Sequence, residues 1–217
     1  MTREDAAQEG SVIKVLLADD QALVRGAMAA LLRLEGDIDV AVEVGTGTEA
    51  VAAVVERSAA DDPIDVCLLD IEMPGLDGIE TARELARLAP EVRSLIVTTF
   101  GRPGYVRRAL EAGARGFIVK DTPAPELASA IRAVQRGERV VDPALAMESL
   151  AGGPNPLTAR EREVLGAALD GSSVAVIAAT VHLSAGTVRN YLSSAIGKTG
   201  TSNRLEAARV AERNGWL

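Results

Sequence analysis

VIKVLLADD, residues 12–20, sets six apolar positions around a single lysine and then stops on two adjacent carboxylates. A run this short and continuous reads as a strand buried on both faces, with its polar groups held back for the carboxyl end. Four further runs repeat the pattern: IDVAVEV (38–44), DVCLLD (65–70), RSLIVTT (93–99) and GFIVK (116–120). Between them, stretches near 21–34, 47–58, 78–89, 104–113 and 124–136 have helical period, which makes a series of βα units. Buried strands joined by helices predict an α/β fold with a doubly wound five-stranded parallel sheet. Functional groups in such a sheet collect outside the carboxyl ends of the strands.

The sheet accounts for little more than half of the 217 residues, so a second module is expected. AGGPNP, residues 151–156, places two glycines and two prolines in six positions and marks the joint. Beyond it, periodic segments near 158–169, 173–181, 184–198 and 203–213 predict a smaller all-α domain. The expected boundaries are 11–137 for the sheet domain, 138–155 for a linker and 156–217 for the helical domain. The net charge of −8 divides unevenly, with −10 before residue 152 and +2 after it. With 47% hydrophobic and 25% charged residues, the composition excludes disordered and collagen-like chains. One cysteine, Cys67, and one histidine, His182, leave most disulfide, zinc and triad chemistry without parts. No apolar run approaches the roughly 18 residues of a membrane span, and MTREDAAQEG lacks a signal-peptide core, so a cytoplasmic chain without membrane insertion is expected.

Asp19, Asp20 and Asp70 end the first and third strands, which are close neighbours in a doubly wound sheet. Three converging carboxylates repel one another, and a hard cation such as Mg²⁺ relieves that cost through oxygen ligands. Lys120 ends the fifth strand and Thr98 the fourth. A metal, an ammonium and a hydroxyl facing one carboxylate form a small phosphoryl-transfer site, with Asp70 as the attacking group. Two other readings stand beside it. Strand-end aspartates also cap following helices, and an aspartyl-phosphate phosphatase would use a DxD signature, although Asp70-Ile71-Glu72 has Glu in the third place.

In the second module, residues 173–198 hold two helices around a short turn, as a helix-turn-helix requires. Ser184 is the expected N-cap. Val188, Leu192, Ala195 and Ile196, with Tyr191 beside them, form the buried stripe. The opposite face offers Gly186, Arg189, Asn190, Ser193, Ser194, Gly197 and Lys198, which suits a helix in the major groove. Arg189 could read guanine or hold a phosphate, and Asn190 matches adenine.

LLADDQ, LLDIEMPGLDG, IVTTF and GFIVKD resemble, in order and separation, the receiver domain of bacterial two-component response regulators over residues 11–137. LTAREREVL and the helices after it resemble the LuxR-type helix-turn-helix over 156–213. The whole is similar to a NarL/FixJ-type response regulator, closest to the DesR-like branch. The resemblance implies a flavodoxin-like receiver in which Asp70 is the phosphoacceptor. It implies that Asp20, Asp70 and the backbone carbonyl of Glu72 hold Mg²⁺, with Asp19 acting through metal-bound water. Thr98 would turn onto the phosphoryl group and Lys120 would be its counter-charge. Phe117 takes the place of a rotating switch aromatic, or is a plain core residue. Thr187, Arg189, Asn190 and Lys198 inherit DNA contacts, while Ser193 stands where many relatives carry lysine. Lys120-Asp121-Thr122-Pro123 is a branch marker in place of the commoner Lys-Pro. The implied partners are a sensor histidine kinase, a double-stranded DNA operator and, on activation, a second copy of the chain. Such a protein assists its own phosphorylation without being a multiple-turnover enzyme. The rival reading is a phosphorylation-independent DNA-binding or protein-interaction module whose receiver is only a scaffold.

Modest basic charge makes a dimer necessary for DNA affinity, and the first helix offers two apolar stripes. Leu23, Ala27, Leu31 and Leu34 are expected to face the core. Val24, Met28 and Leu32 are then the expected dimer surface, together with the outer face of helix 124–136. Val210 and Trp216 could pair the output domains or close their own core.

Overall fold

The computed structural model describes residues 12–99, 103–141 and 155–217. The chain makes two compact units. In the first, β1 (Ile13–Ala18), β2 (Ile38–Val44), β3 (Val66–Leu69), β4 (Arg93–Thr98) and β5 (Gly116–Val119) alternate with α1 (Ala22–Leu32), α2 (Gly47–Ala59), α3 (Gly78–Leu88), α4 (Pro103–Glu111), of which residues 108–111 group with this unit, and α5 (Ala124–Gln135). The strands are parallel in the order β2-β1-β3-β4-β5, and a sixth, β6 (Val140–Val141), extends the edge beside β5. The five-strand expectation therefore gains a strand, and it lies inside the stretch expected to be linker. Two residues are too few to show a period. The approach of β6 depends on Gly116, where an added Cβ would lie 2.9 Å from the Val140 oxygen and 2.6 Å from Leu95. The rest of the expected joint, 142–154, lies outside the described residues.

Strand order reverses between β1 and β3, which creates a crevice at their carboxyl ends. Alternate residues serve the two faces. Val15, Leu17, Val66, Leu68, Leu95 and Val97 share one core with Ala29 and Leu32 of α1 and with Leu127, Ile131 and Val134 of α5. Leu16, Cys67, Leu69, Ile96 and Phe117 point to the other face and are fully buried. Burial pushes the Cys67 thiol far up, so it stays protonated and inert. Lys14 pairs with Asp62.

The expected phase of α1 is reversed. Leu32 is 1% exposed and belongs to the core, Met28 packs against it, and Val24 is half-buried. Leu23 and Leu34 are 87% and 80% exposed, and Leu31 is 48% exposed. The inward stripe contains Arg25, whose guanidinium donates to the Asp19 carbonyl oxygen. Both stripes are apolar in sequence, so their composition alone does not decide which one faces the sheet.

The second unit packs α6 (Ala159–Gly166), α7 (Val174–Thr180), α8 (Ala185–Thr199) and α9 (Arg204–Arg213) around one core. Side-chain caps start all four helices: Thr158, Ser173, Ser184 and Asn203 each accept from the backbone N–H three residues on. Gly200, with φ +65°, closes α8 in the left-handed conformation. Val188, Leu192 and Ala195 are buried, with Tyr191 and Ile196 packed beside them, as their spacing predicts. Trp216 and Val210 belong to this unit's own core.

Candidate functional site

The crevice between β1 and β3 brings together Asp19, Asp20, Asp70 and Lys120. Asp19 and Asp70 follow directly on β1 and β3, and their backbone amides continue the ladder, Asp19 to the Val44 oxygen at 3.1 Å and Asp70 to the Ala18 oxygen at 2.9 Å. Asp19 and Asp70 are buried, Asp20 is exposed, and one carboxylate oxygen of each lies within 4.8 Å of the others. Lys120 Nζ is 2.7 Å from Asp19 Oδ2 and 3.0 Å from Asp70 Oδ2. The Ile71 amide donates to Asp70 Oδ1 at 2.8 Å and the Gln21 amide to Asp19 Oδ1 at 2.9 Å. Thr98, fully buried, ends β4, and its carbonyl accepts from the Lys120 amide at 2.8 Å.

Burial pushes the Asp70 carboxyl up and Asp19 adds to the shift, while Lys120 opposes it. Burial would lower the Lys120 ammonium, but its contacts with Asp19 and Asp70 outweigh that and hold it above the usual lysine range. Three carboxylates against one ammonium leave the crevice negative, with Asp20 open to solvent on one side. Oxygen-only donors with an open side fit a hard divalent cation such as Mg²⁺. Glu72 is exposed in the loop after β3. Every described peptide bond is trans, including that between Lys120 and Asp121.

That loop is built around a residue the sequence reading passed over. Gly75 takes φ +79°, Asp77 caps α3 in a reciprocal box with Glu80, and the Gly78 amide donates to the Ile71 oxygen at 3.1 Å. A Cβ on Gly78 would lie 2.0 Å from the Asp70 carbonyl oxygen. The glycine lets α3 start directly against the Asp70 backbone. Arg25 is the second omission, since it braces Asp19 from α1.

Phe117 is fully buried between Ile96 and Val141 in the sheet register. In the second unit, Arg189, Asn190 and Ser193 form an exposed strip on α8. Thr187 is half-buried, and its hydroxyl lies 2.8 Å from that of Ser184. Lys198 and Ser194, expected on the DNA face, are exposed and each also bonds to Glu161 of the same unit. Lys198 Nζ donates to Glu161 Oε2 at 2.7 Å and Ser194 Oγ to Oε1 at 2.6 Å. Glu161 is recognisable in sequence as the third residue of a capping box with Thr158. Its partners on α8 lie 33 and 37 residues away, beyond any local pattern.

Burial alone would raise the Glu161 carboxyl, but Lys198, Ser194 and Thr158 outweigh it and bring its pKa from the usual 4.5 to about 2. A depressed carboxylate stabilises the fold above its unfolded value, and the gain disappears as pH falls through the folded value. Wild type is therefore expected to exceed Glu161→Gln by about 2 kcal/mol near neutrality, the pair being only partly screened. The difference should shrink between pH 4.5 and about 2. Fluorescence of Trp216, the chain's one tryptophan, reports on this unit. A difference that did not change with pH would count against the pair.

Comparison with known proteins covers both units. The family model described as response regulator receiver domain matches residues 15–132, and that of bacterial regulatory proteins, luxR family, matches 155–211. The chain is 43% identical over 206 residues to the transcriptional regulatory protein DesR of Bacillus subtilis, covering 95% of this chain and all of that one. It is similar to the crystal structure of response regulator ChrA of a heme-sensing two-component system, at 33% identity and TM-score 0.56, covering 96% and 100% of the two chains. RcsB from Salmonella enterica serovar Typhimurium bound to promoter DNA shares the fold, at 24% identity and TM-score 0.64, over 94% and 99%.

Proposed function

Because the chain belongs to the two-component response regulators that join a receiver domain to a LuxR-type DNA-binding domain, we propose that Asp70 takes a phosphoryl group from a sensor histidine kinase and that the phosphorylated chain dimerises on an operator. The observation that carries this reading is Lys120 Nζ held within 3.0 Å of both Asp19 and Asp70 beside an open third carboxylate.

An Asp70 oxygen attacks the phosphorus of a phosphohistidine. The P–N bond breaks, the imidazole keeps its electron pair, and a mixed anhydride forms on Asp70. The Ile71 amide holds the other carboxylate oxygen and so orients the attack. Lys120 then has a more strongly charged partner and shifts toward the phosphoryl oxygens, and the Thr98 hydroxyl donates to one of them. Asp19, Asp20, Asp70 and the Glu72 carbonyl would hold Mg²⁺, which supplies charge neutralisation on the phosphoryl oxygens. Lys120 and Thr98 share a backbone hydrogen bond, so movement at the site passes along β4 and β5 toward Phe117. The group is transferred once per activation, without multiple turnover.

The receiver reading covers residues 11–137 with β6 appended, followed by the remainder of 138–155 as linker and a DNA-binding unit over 156–217. Thr187, Arg189, Asn190 and Lys198 face the DNA, with Lys198 also holding α8 onto Glu161. No helix among the described residues is long and apolar enough to cross a membrane; a cytoplasmic location is the one a sensor kinase and an operator as partners would require. The test compares DNA affinity of the full chain before and after acetyl phosphate with Mg²⁺. At least a tenfold gain is expected, and equal affinity would favour the scaffold reading.

The dimer surface moves to the exposed stripe Leu23, Ala27 and Leu31, with Leu34 after the helix. Val24, Met28 and Leu32 serve the interior of α1. A row of leucines left in water is a stronger reason for a partner than half-buried side chains. Leu31→Glu is expected to leave thermal stability within about 0.5 kcal/mol and to remove the dimer from light scattering of the phosphorylated protein. Retention of the full dimer would contradict this placement.

A further inference from the structure

The DNA-facing side of the second unit extends beyond α8. An open groove of about 370 Å³ lies between α8 and the start of α9, lined by Val174, Arg189, Leu192, Ser193, Ile196, Asn203 and Arg204. It holds two guanidinium groups, a hydroxyl and an amide, and no carboxylate. The nearest acid of the first turn, Glu206, is turned back onto the Ser202 amide and hydroxyl at 3.0 and 2.7 Å. Lys198 is occupied by Glu161, so positive charge at this groove comes from Arg189 and Arg204. Arg204 is half-buried, and its guanidinium donates to the Gly171 carbonyl at 3.5 Å, a long bond to a neutral acceptor. A phosphate oxygen is a stronger acceptor for the same donor.

We infer that Arg204 is a DNA-backbone contact, which takes a phosphodiester across the groove while Arg189 and Asn190 face the bases. The inference rests on the DNA-binding reading of α8. Arginine at the first position of α9 sits where the helix also presents its positive end, and this adds to its attraction for phosphate. A contact of this kind sets register and affinity without reading sequence. It accordingly predicts a different signature from that of α8. Removing a phosphate contact lowers affinity for all DNA alike and flattens the salt dependence by about 0.9 in log–log slope per phosphate, so by about 1.8 for a dimer.

The experiment uses phosphorylated full-length protein, a random-sequence duplex about three helical turns long and a duplex of equal length selected from the source genome. Binding is followed between roughly 50 and 200 mM salt. Arg204→Gln is expected to weaken both duplexes by similar factors and to flatten both slopes. Arg204→Lys, which keeps the charge, should retain the wild-type slope. An unchanged slope in Arg204→Gln, a loss confined to the selected duplex, or a slope lost equally in Arg204→Lys would overturn the inference. Trp216 fluorescence melts verify that each variant is folded. Asn190→Ala in parallel separates the two readings, since it should weaken the selected duplex alone. If it weakens neither, the α8 reading fails whatever Arg204 does.

Discussion

Asp70→Ala is expected to gain no phosphoryl group from acetyl phosphate with Mg²⁺, and DNA affinity is expected to stop responding to that treatment. The loss should be complete, because the crevice contains no second carboxylate in the same position. Asp19 Oδ1 is held by the Gln21 amide and its Oδ2 by Lys120, and Asp20 is exposed to water that competes for the donor. Removing Asp70 also lifts one negative charge from a crowded acidic crevice, so the variant should be at least as stable as wild type. Intact mass measures the adduct and a thermal melt measures the fold. A phosphorylated Asp70→Ala protein would show that a different residue accepts the group.

Gly78→Ala is expected to have the next largest effect, although the change adds only a single uncharged methyl. Its Cβ would lie 2.0 Å from the Asp70 carbonyl oxygen, 2.8 Å from the Asp70 carbonyl carbon and 3.2 Å from Ile71 Cα. All three are backbone atoms, so no rotamer change relieves the overlap. Either α3 moves away from β3 or the Asp70 peptide turns, and forced repacking of this kind costs about 1–3 kcal/mol. The Ile71 amide that orients Asp70 moves with that peptide. Phosphorylation should therefore slow by at least tenfold while the melting temperature falls by several degrees. Normal phosphorylation kinetics in Gly78→Ala would mean that α3 does not fix the acceptor.

What could be read in sequence was whatever a local period carries. The five apolar runs became β1 to β5 within about a residue at each end, because uninterrupted burial leaves a mark on every position of a strand. The carboxylates at the ends of two of those runs were then bound to meet, since strand order in a doubly wound sheet makes β1 and β3 neighbours. Interactions that join distant segments left no such mark. Glu161 looks like a cap, and nothing local announces Lys198 as its partner. The two apolar stripes of α1 look alike in sequence, and nothing local shows that Arg25, on the inward side, reaches the Asp19 carbonyl at the edge of the acidic crevice. Leu32, expected on the surface as part of the second stripe, belongs to the core.

These corrections shift the surface assignments and leave the chemistry centred on one carboxylate. The direct test is to locate the phosphoryl group on wild-type protein. Borohydride reduces an aspartyl phosphate to homoserine, so treatment with acetyl phosphate and Mg²⁺, then borohydride and peptide mass analysis, marks the acceptor. The account predicts homoserine at residue 70 and at no other aspartate. Homoserine at residue 19 or 20, or an unmodified peptide at residue 70 in protein that carries the adduct, would contradict it.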